Sequence, residues 1–150
     1  MADIATVHAS AVLVGARAVL IRGPAGAGKS RLAMALIRAA QAGQLRMARL
    51  VADDRTQVEA CHGRIVVRPA AALAGFIEAR GLGIRQVSHE PVAVLGWVVD
   101  LGATDAQRLP PSRQSETIIE NVRLPRLAIA SGEDPLPTVL TWLGTAAAPA

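Results

Sequence analysis

The chain predicts an α/β fold, a mixed sheet with flanking helices built around one phosphate-binding loop. Three observations carry this. A β-branched apolar run, Ala16–Ile21, opens directly into Gly23-Pro24-Ala25-Gly26-Ala27-Gly28-Lys29-Ser30, and a helical pattern follows it. Hydrophobic residues make up 51% of the chain but aromatics only 2%, so the core is aliphatic and alanine-rich, which suits helices laid on a sheet. The remaining segments are short apolar runs broken by glycine and proline. At 150 residues the chain fits a single domain over 1–150, with a core that needs no disulfide or structural metal.

Thr6–Val14 and Ala16–Ile21 read as two strands paired through a tight connection at Gly15. After the glycine-rich loop, Leu32, Ala35, Leu36 and Ala39 recur at helical spacing, which predicts a helix from Lys29 to about Ala42 with Gly43 as its stop. Arg49–Ala52 is a short strand ending in Asp53-Asp54. Val58–Cys61 and Arg64–Arg68 read as a hairpin turning at His62-Gly63. Pro69 is expected to open a helix through Ala79, with Leu73, Phe76 and Ile77 as its buried stripe and the glycines of Gly81-Leu82-Gly83 as its cap. Ile84–Val87 reads as a short strand and Pro91–Leu101 as a long one, interrupted at Gly96. From Gly102 to Gln114 periodicity is lost, and an exposed, mobile loop is expected. Ile118–Ala130 is extended again, broken at Pro125. A last helix spans Leu136–Leu143, followed by a frayed tail over 145–150.

The net charge is +4, and fifteen arginines are scattered rather than clustered. With almost no aromatic residues to stack on bases, this composition speaks against nucleic-acid binding. No apolar run is long enough to span a membrane, and Met1-Ala-Asp-Ile lacks the basic start of a signal peptide. The single Cys61 allows no internal disulfide and fits a reducing, cytoplasmic setting.

Among sixteen basic residues the only lysine is Lys29, inside the glycine-rich loop. A slim ammonium on a flexible stem suits that place where a broad guanidinium does not. The pattern G-x-x-x-x-G-K-[ST] wraps nucleotide phosphates with backbone N–H groups, brings the lysine to the β/γ-phosphates and the hydroxyl to Mg²⁺. Residues Gly23 to Ser30, with Arg31 just beyond, are therefore the expected nucleoside-triphosphate-binding segment, with Mg²⁺ beside the phosphates. An apolar strand ending in acid is the usual partner of such a loop, because a second carboxylate must hold the ion across the phosphates. Successive residues on an extended segment face opposite ways. One of Asp53 and Asp54 can thus face the γ-phosphate as base or acid while the other faces metal or backbone. Glu78 and Arg80, released by Gly81 and Gly83, could add a metal contact and a phosphate clamp; as a bare pattern they are only a helix end. His8 lies on the strand before the loop, where a single histidine is more often a core or surface residue than a catalyst.

Together, His8, Ala18-Val-Leu-Ile-Arg-Gly23, the loop to Ser30, Leu50-Val-Ala-Asp-Asp54 and Glu78-Ala-Arg-Gly-Leu-Gly-Ile84 occur in an order that resembles HPr kinase/phosphorylase. The likeness runs from about Val7 to Val87 and more loosely through Pro110-Pro-Ser-Arg113 to Ile119. It implies a fold like the phosphoenolpyruvate carboxykinase nucleotide domain and ATP- and Mg²⁺-dependent phosphorylation of a serine on HPr, the phosphocarrier of the sugar phosphotransferase system. It also implies the reverse phosphorolysis, and assembly as a homo-oligomer, a hexamer in the family. By matching positions, Asp53 is the base, Lys29 contacts the β/γ-phosphates, and Ser30 and Glu78 hold metal. His8 sits beside Asp53, Asp54, Arg80 and Gly81 support the site, and Arg113 lies in the loop that meets the partner protein.

Departures from the family pattern are specific. The chain begins just before the catalytic domain, so the usual N-terminal regulatory domain is expected to be missing, as in the short forms of some proteobacteria. Ala25 stands where long forms carry a serine, and Pro110-Pro-Ser-Arg113 stands for Pro-Gly-Arg-Asn. These changes bear on phosphorolysis, metabolite sensing and hexamer formation, and leave the ATP site intact. Two other functions share the motifs: a small-molecule kinase using Asp105–Arg113 as an arginine-bearing lid, and an ATP-binding regulatory module with weak catalysis.

Overall fold

The computed structural model describes residues 5–148; the sequence readings that touch residues 1–4 and the last two residues of the tail lie outside them. The chain opens with strands β1 (Thr6–Val7), β2 (Ala9–Val14) and β3 (Arg17–Arg22). As expected, β2 and β3 pair antiparallel, through a turn in which Gly15 takes φ +65°. The loop then leads into helix α1 (Lys29–Gln41), closed by Gly43 at φ +81°. Strands β4 (Ala48–Ala52), β5 (Thr56–Cys61) and β6 (Arg64–Pro69) follow, with β5 and β6 forming the hairpin around His62-Gly63.

The helix expected from Pro69 to Ala79 is not formed. Pro69 ends β6, Ala71–Leu73 is one 3₁₀ turn, and Phe76–Ala79 is strand β7, paired with β8 (Gly83–Gln86) in a two-stranded ribbon. Two features forbid the helix. Gly75 sits mid-segment at φ +80°, where a Cβ would lie 2.8 Å from the His89 ring. The burial also alternates: Ile77 is inside while Phe76 and Glu78 are outside. Leu73 and Phe76, expected in the buried stripe, are 41% and 39% exposed. The glycines of 81–83 therefore make a hairpin turn rather than a helix cap.

Strand β9 (Ala93–Leu101) is continuous, and Gly96 marks a bulge in it. The β3–β9 register skips from Ala18↔Leu95 to Val19↔Trp97. A side chain at 96 would press on Arg17 at 2.8 Å. Beyond a 3₁₀ turn at Ser112–Gln114 come β10 (Glu116–Ile119) and β11 (Val122–Ile129). Pro125 does not break β11. It falls where the strand leaves its antiparallel partner β10 and, from Arg126, runs parallel to β9. Helix α2 (Pro135–Gly144) is capped by Asp134, whose carboxylate accepts the Leu136 N–H at 3.1 Å. Thr145 to Ala148 are exposed and irregular.

The main sheet runs β1-β5-β6-β9-β3-β2-β4, with β11 joining β9 beyond the reach of β6. Strict alternation along β3 sends Val19 and Ile21 to one core and Ala18 and Leu20 to the other. The first core holds α1, α2 and Ile77 of β7. The second is filled only by strand residues, among them Val51, Val58, Ile65, Val67 and Leu124. The helices thus flank one face, and the other is closed by the curl of the sheet. No helix among the described residues is long and apolar enough to cross a membrane.

Candidate active site

Parallel strands β3, β9 and β11 all end at one rim, where Gly23–Ser30 begins α1. Gly26 and Gly28 take φ +82° and +99°, conformations that turn successive N–H groups into a concave nest. No side chain caps α1, and its first turn has no acid. The N–H groups there lack intrahelical partners and face the loop, the arrangement that attracts an anion at a helix N-terminus. Lys29 is buried, and its Nζ donates to the carbonyl oxygens of Gly23 at 2.9 Å and Pro24 at 3.3 Å. The ammonium is thus held across the loop mouth, within a side-chain rotation of any phosphate in the nest.

Asp53 follows β4 and is 7% exposed. Its Oδ1 accepts hydrogen bonds from Ser30 Oγ at 2.6 Å and Ser10 Oγ at 2.7 Å, and its Oδ2 accepts the Glu78 N–H at 3.0 Å. All three donors are neutral. Both lone-pair directions of Oδ1 are therefore used, and Oδ2 keeps one open. Asp54 is turned away as expected, but by a left-handed backbone (φ 63°) rather than by strand alternation. Its N–H donates to Ser10 Oγ at 3.3 Å.

Ser10 was not among the expected site residues. It is the one polar residue of the otherwise apolar β2, fully buried, and shares its parity with Val12 and Val14. It therefore points to the α1 face, where Ser30 stands. A lone hydroxyl inside an apolar strand beside an acidic strand end is a signal the sequence did carry.

Lys29, Ser30, Asp53 and the Glu78 backbone come together. The Glu78 side chain is exposed at the edge of this group. His8 is exposed at the bend between β1 and β2 and is not a hydrogen-bond partner of Asp53. Arg80 and Gly81 lie in the exposed β7–β8 turn, and Arg31 is exposed on the first turn of α1. Arg113 is exposed on the turn before β10, and no hydrogen bond ties it to the loop.

For Mg²⁺, the donor set fits. A hydroxyl and a buried carboxylate that has no cationic partner among the described residues meet at the loop, and both are hard oxygen donors. Among the described residues no three Asp, Glu, His or Cys side chains form a cage of their own, so an ion here would share its sphere with phosphate and water.

A second polar cluster adjoins the loop. Arg22, the residue before Gly23, grips Asp100 with both fork nitrogens, at 2.7 and 2.9 Å. Asp100 also binds Arg126, which grips Asp105 at 2.7 and 3.0 Å and donates to the Gln114 carbonyl oxygen at 3.0 Å. The loop after β9 is thereby tethered at Asp105 and Gln114. Hydrogen bonding to Asp105, together with Asp100, raises the Arg126 guanidinium further above its ordinary value. Burial pushes the Asp100 carboxyl up, but the hydrogen bonds and charges of Arg22 and Arg126 outweigh this and hold it below its ordinary 3.8. Nothing in the local sequence around residues 22, 100, 105 and 126 marks them as partners.

Residues 1–90 match the profile of the HPr Serine kinase C-terminal domain. The chain belongs to this family. An HPr kinase/phosphorylase of Clostridium beijerinckii is 36% identical over 81 residues, which is 54% of this chain and 24% of that protein. The chain thus matches about a quarter of its curated relative's length. The HPr(Ser) kinase/phosphatase of Coxiella burnetii superposes with a TM-score of 0.75 at 22% identity, covering 93% of this chain and 94% of that one. The likeness in fold therefore extends well past the residues of the profile match.

Proposed function

We propose that the chain is an ATP- and Mg²⁺-dependent protein-serine kinase acting on HPr, the phosphocarrier of the sugar phosphotransferase system, in the cytoplasm. The observation that carries this is the 2.6 Å contact between Ser30 and Asp53, which puts an otherwise uncompensated carboxylate at the phosphate loop. Family membership supplies the class of partner.

The steps follow from the chain's own groups. The N–H nest of Gly26–Ser30 receives the phosphates, and Lys29 exchanges the Gly23 and Pro24 carbonyl oxygens for β/γ-phosphate oxygens. Bound Mg²⁺, held by Ser30 with Asp53 or Glu78 beside it, would neutralise charge developing on the phosphates. Asp53, oriented by Ser10 and the Glu78 N–H, receives the proton of the incoming serine hydroxyl on the open side of Oδ2. The serine Oγ then attacks the γ-phosphorus, and the bond to the β-phosphate oxygen breaks to release ADP. Positioning and charge neutralisation do most of the work in such transfers. Running the steps backward with inorganic phosphate as nucleophile gives phosphorolysis.

The test mixes the purified chain, Mg-ATP and the HPr of the same genome, and weighs HPr intact, with Lys29→Ala as control. A gain of one phosphoryl group, mapped to serine and missing in the control, is expected. No gain with ATP still bound removes HPr as substrate and turns the search to small hydroxyl compounds or to a regulatory role.

A further inference from the structure

The start of the phosphate loop is seated, residue against residue, on the end of β9. Arg22 grips the Asp100 carboxylate, a Cβ at Gly23 would meet Leu101 at 3.1 Å, and one at Gly102 would meet the Pro24 ring at 3.5 Å. Gly23 and Pro24 are also the residues whose carbonyl oxygens hold the Lys29 ammonium. The position of residues 100–102 therefore sets where the loop begins and where its lysine rests.

That seat is held in turn by one side chain. Arg126 donates from Nε to Asp100, from both fork nitrogens to Asp105, and from one of these also to the Gln114 carbonyl oxygen. Asp105 and Gln114 are the two feet of an arch, residues 106–113. Its span is open to solvent: Leu109 is 83% exposed, and Arg108 and Arg113 are exposed beside it. A planar guanidinium fixes a carboxylate through two parallel bonds, which a lysine ammonium cannot do. The Arg126 side chain is 14% exposed and that of Asp105 36%, so the network is shielded at its middle and half-open at its outer end. Local opening starts at such an end, and Asp105 is where the arch comes free.

We propose that Arg126 is a positioning residue for the phosphate loop: it joins the 106–113 arch and the seat of Arg22–Pro24 into one unit, so that filling the loop tightens the arch and freeing the arch loosens the loop. The proposal rests on reading Gly23–Ser30 as a phosphate loop, and the test tells the two apart. Wild type and Asp105→Asn are titrated by calorimetry with the non-hydrolysable ATP analogue AMP-PNP and Mg²⁺. The rate at which trypsin cuts after Arg108, which follows the open population of the arch, is read by mass with and without that nucleotide. Cutting after Arg64 is the internal reference, since its hairpin meets β9 at the opposite end, at Val94. Asp105→Asn leaves the Arg126–Asp100 pair in place.

In the wild type, bound nucleotide is expected to slow the cut after Arg108 about fivefold or more. In Asp105→Asn the cut is expected to run about tenfold faster, the worth of one charge-assisted hydrogen bond, and to ignore nucleotide. Because coupling is reciprocal, nucleotide affinity of the variant should fall about two- to fivefold. If the wild type binds no nucleotide, the phosphate-loop reading falls and the positioning role with it. A tether without a link to the loop would speed the cut in the variant yet leave the nucleotide effect equal in both proteins; that result, or no nucleotide effect in either, overturns the proposal alone. Arg126→Lys keeps a charge beside Asp100 but cannot fork onto Asp105, and is expected to behave as Asp105→Asn does. Full nucleotide protection of the arch in the lysine variant would also overturn it.

Discussion

Asp53 meets the phosphate loop at its last residue, Ser30, and Asp100 meets it just before the first, at Arg22. Asp53 is held by two hydroxyls and one backbone N–H, Asp100 by two guanidinium groups. The first carboxylate is oriented by neutral donors alone. The second has its charge offset on both sides and serves as a strut joining β3, β9 and β11. What distinguishes the proposed catalytic carboxylate from the strut is the charge of its donors; exposure is low for both, 7% for Asp53 and 17% for the Asp100 side chain.

That contrast breaks first in stability. Asp100→Asn leaves two arginines sharing a neutral amide. The expected loss is ~2 kcal/mol, discounted from the value for a fully buried pair because Arg22 keeps solvent contact. For a chain of this size that lowers the melting temperature by roughly 4–8 °C. Denaturant titrations at falling pH sharpen the point. A carboxyl held below its ordinary value stabilises fully above the unfolded value, 3.8, and loses that contribution as pH drops through the native one. The gap between wild type and Asp100→Asn should hold steady near neutrality and close in acid below 3.8. A gap that persists in acid means that packing, not charge, is lost.

On the Asp53 side the expected effects are catalytic. Ser10→Ala removes one donor from Oδ1 and should lower kcat about 5- to 10-fold, the worth of one hydrogen bond, with KM for ATP unchanged. Ser10→Thr keeps the hydroxyl and should restore the rate. A Thr variant as slow as Ala would assign Ser10 to packing alone. The smallest effect is on the stability of Asp53→Asn, expected within about 1 kcal/mol of wild type, since relief of an uncompensated buried charge offsets the mismatch with the Glu78 N–H. A loss as large as that of Asp100→Asn would make Asp53 a strut as well.

The sequence made the loop, α1, the Asp53 strand end and the β5–β6 hairpin legible because each is written in contiguous residues: a glycine pattern, a 3.6-residue period, a turn dipeptide. It misled between Pro69 and Ala79, where Leu73, Phe76 and Ile77 mimic a helical stripe. There the left-handed Gly75 against His89, a contact fourteen residues away, decides for strand. The Arg22–Asp100–Arg126–Asp105 cluster spans more than a hundred residues and was illegible for the same reason. Ion pairs formed by sheet register leave no local trace. The placement of Arg113 in a partner loop came from the family likeness alone, and no hydrogen bond links that turn to the phosphate loop.

The most direct measurement is single-turnover phosphoryl transfer from Mg-ATP to HPr by Asp53→Asn, read beside its ATP affinity. If Asp53 is the base, transfer falls about 10²–10⁴-fold while ATP affinity stays within about twofold of wild type. Transfer at the wild-type rate, or ATP binding lost in step with transfer, contradicts that role; the second result makes Asp53 chiefly a metal ligand.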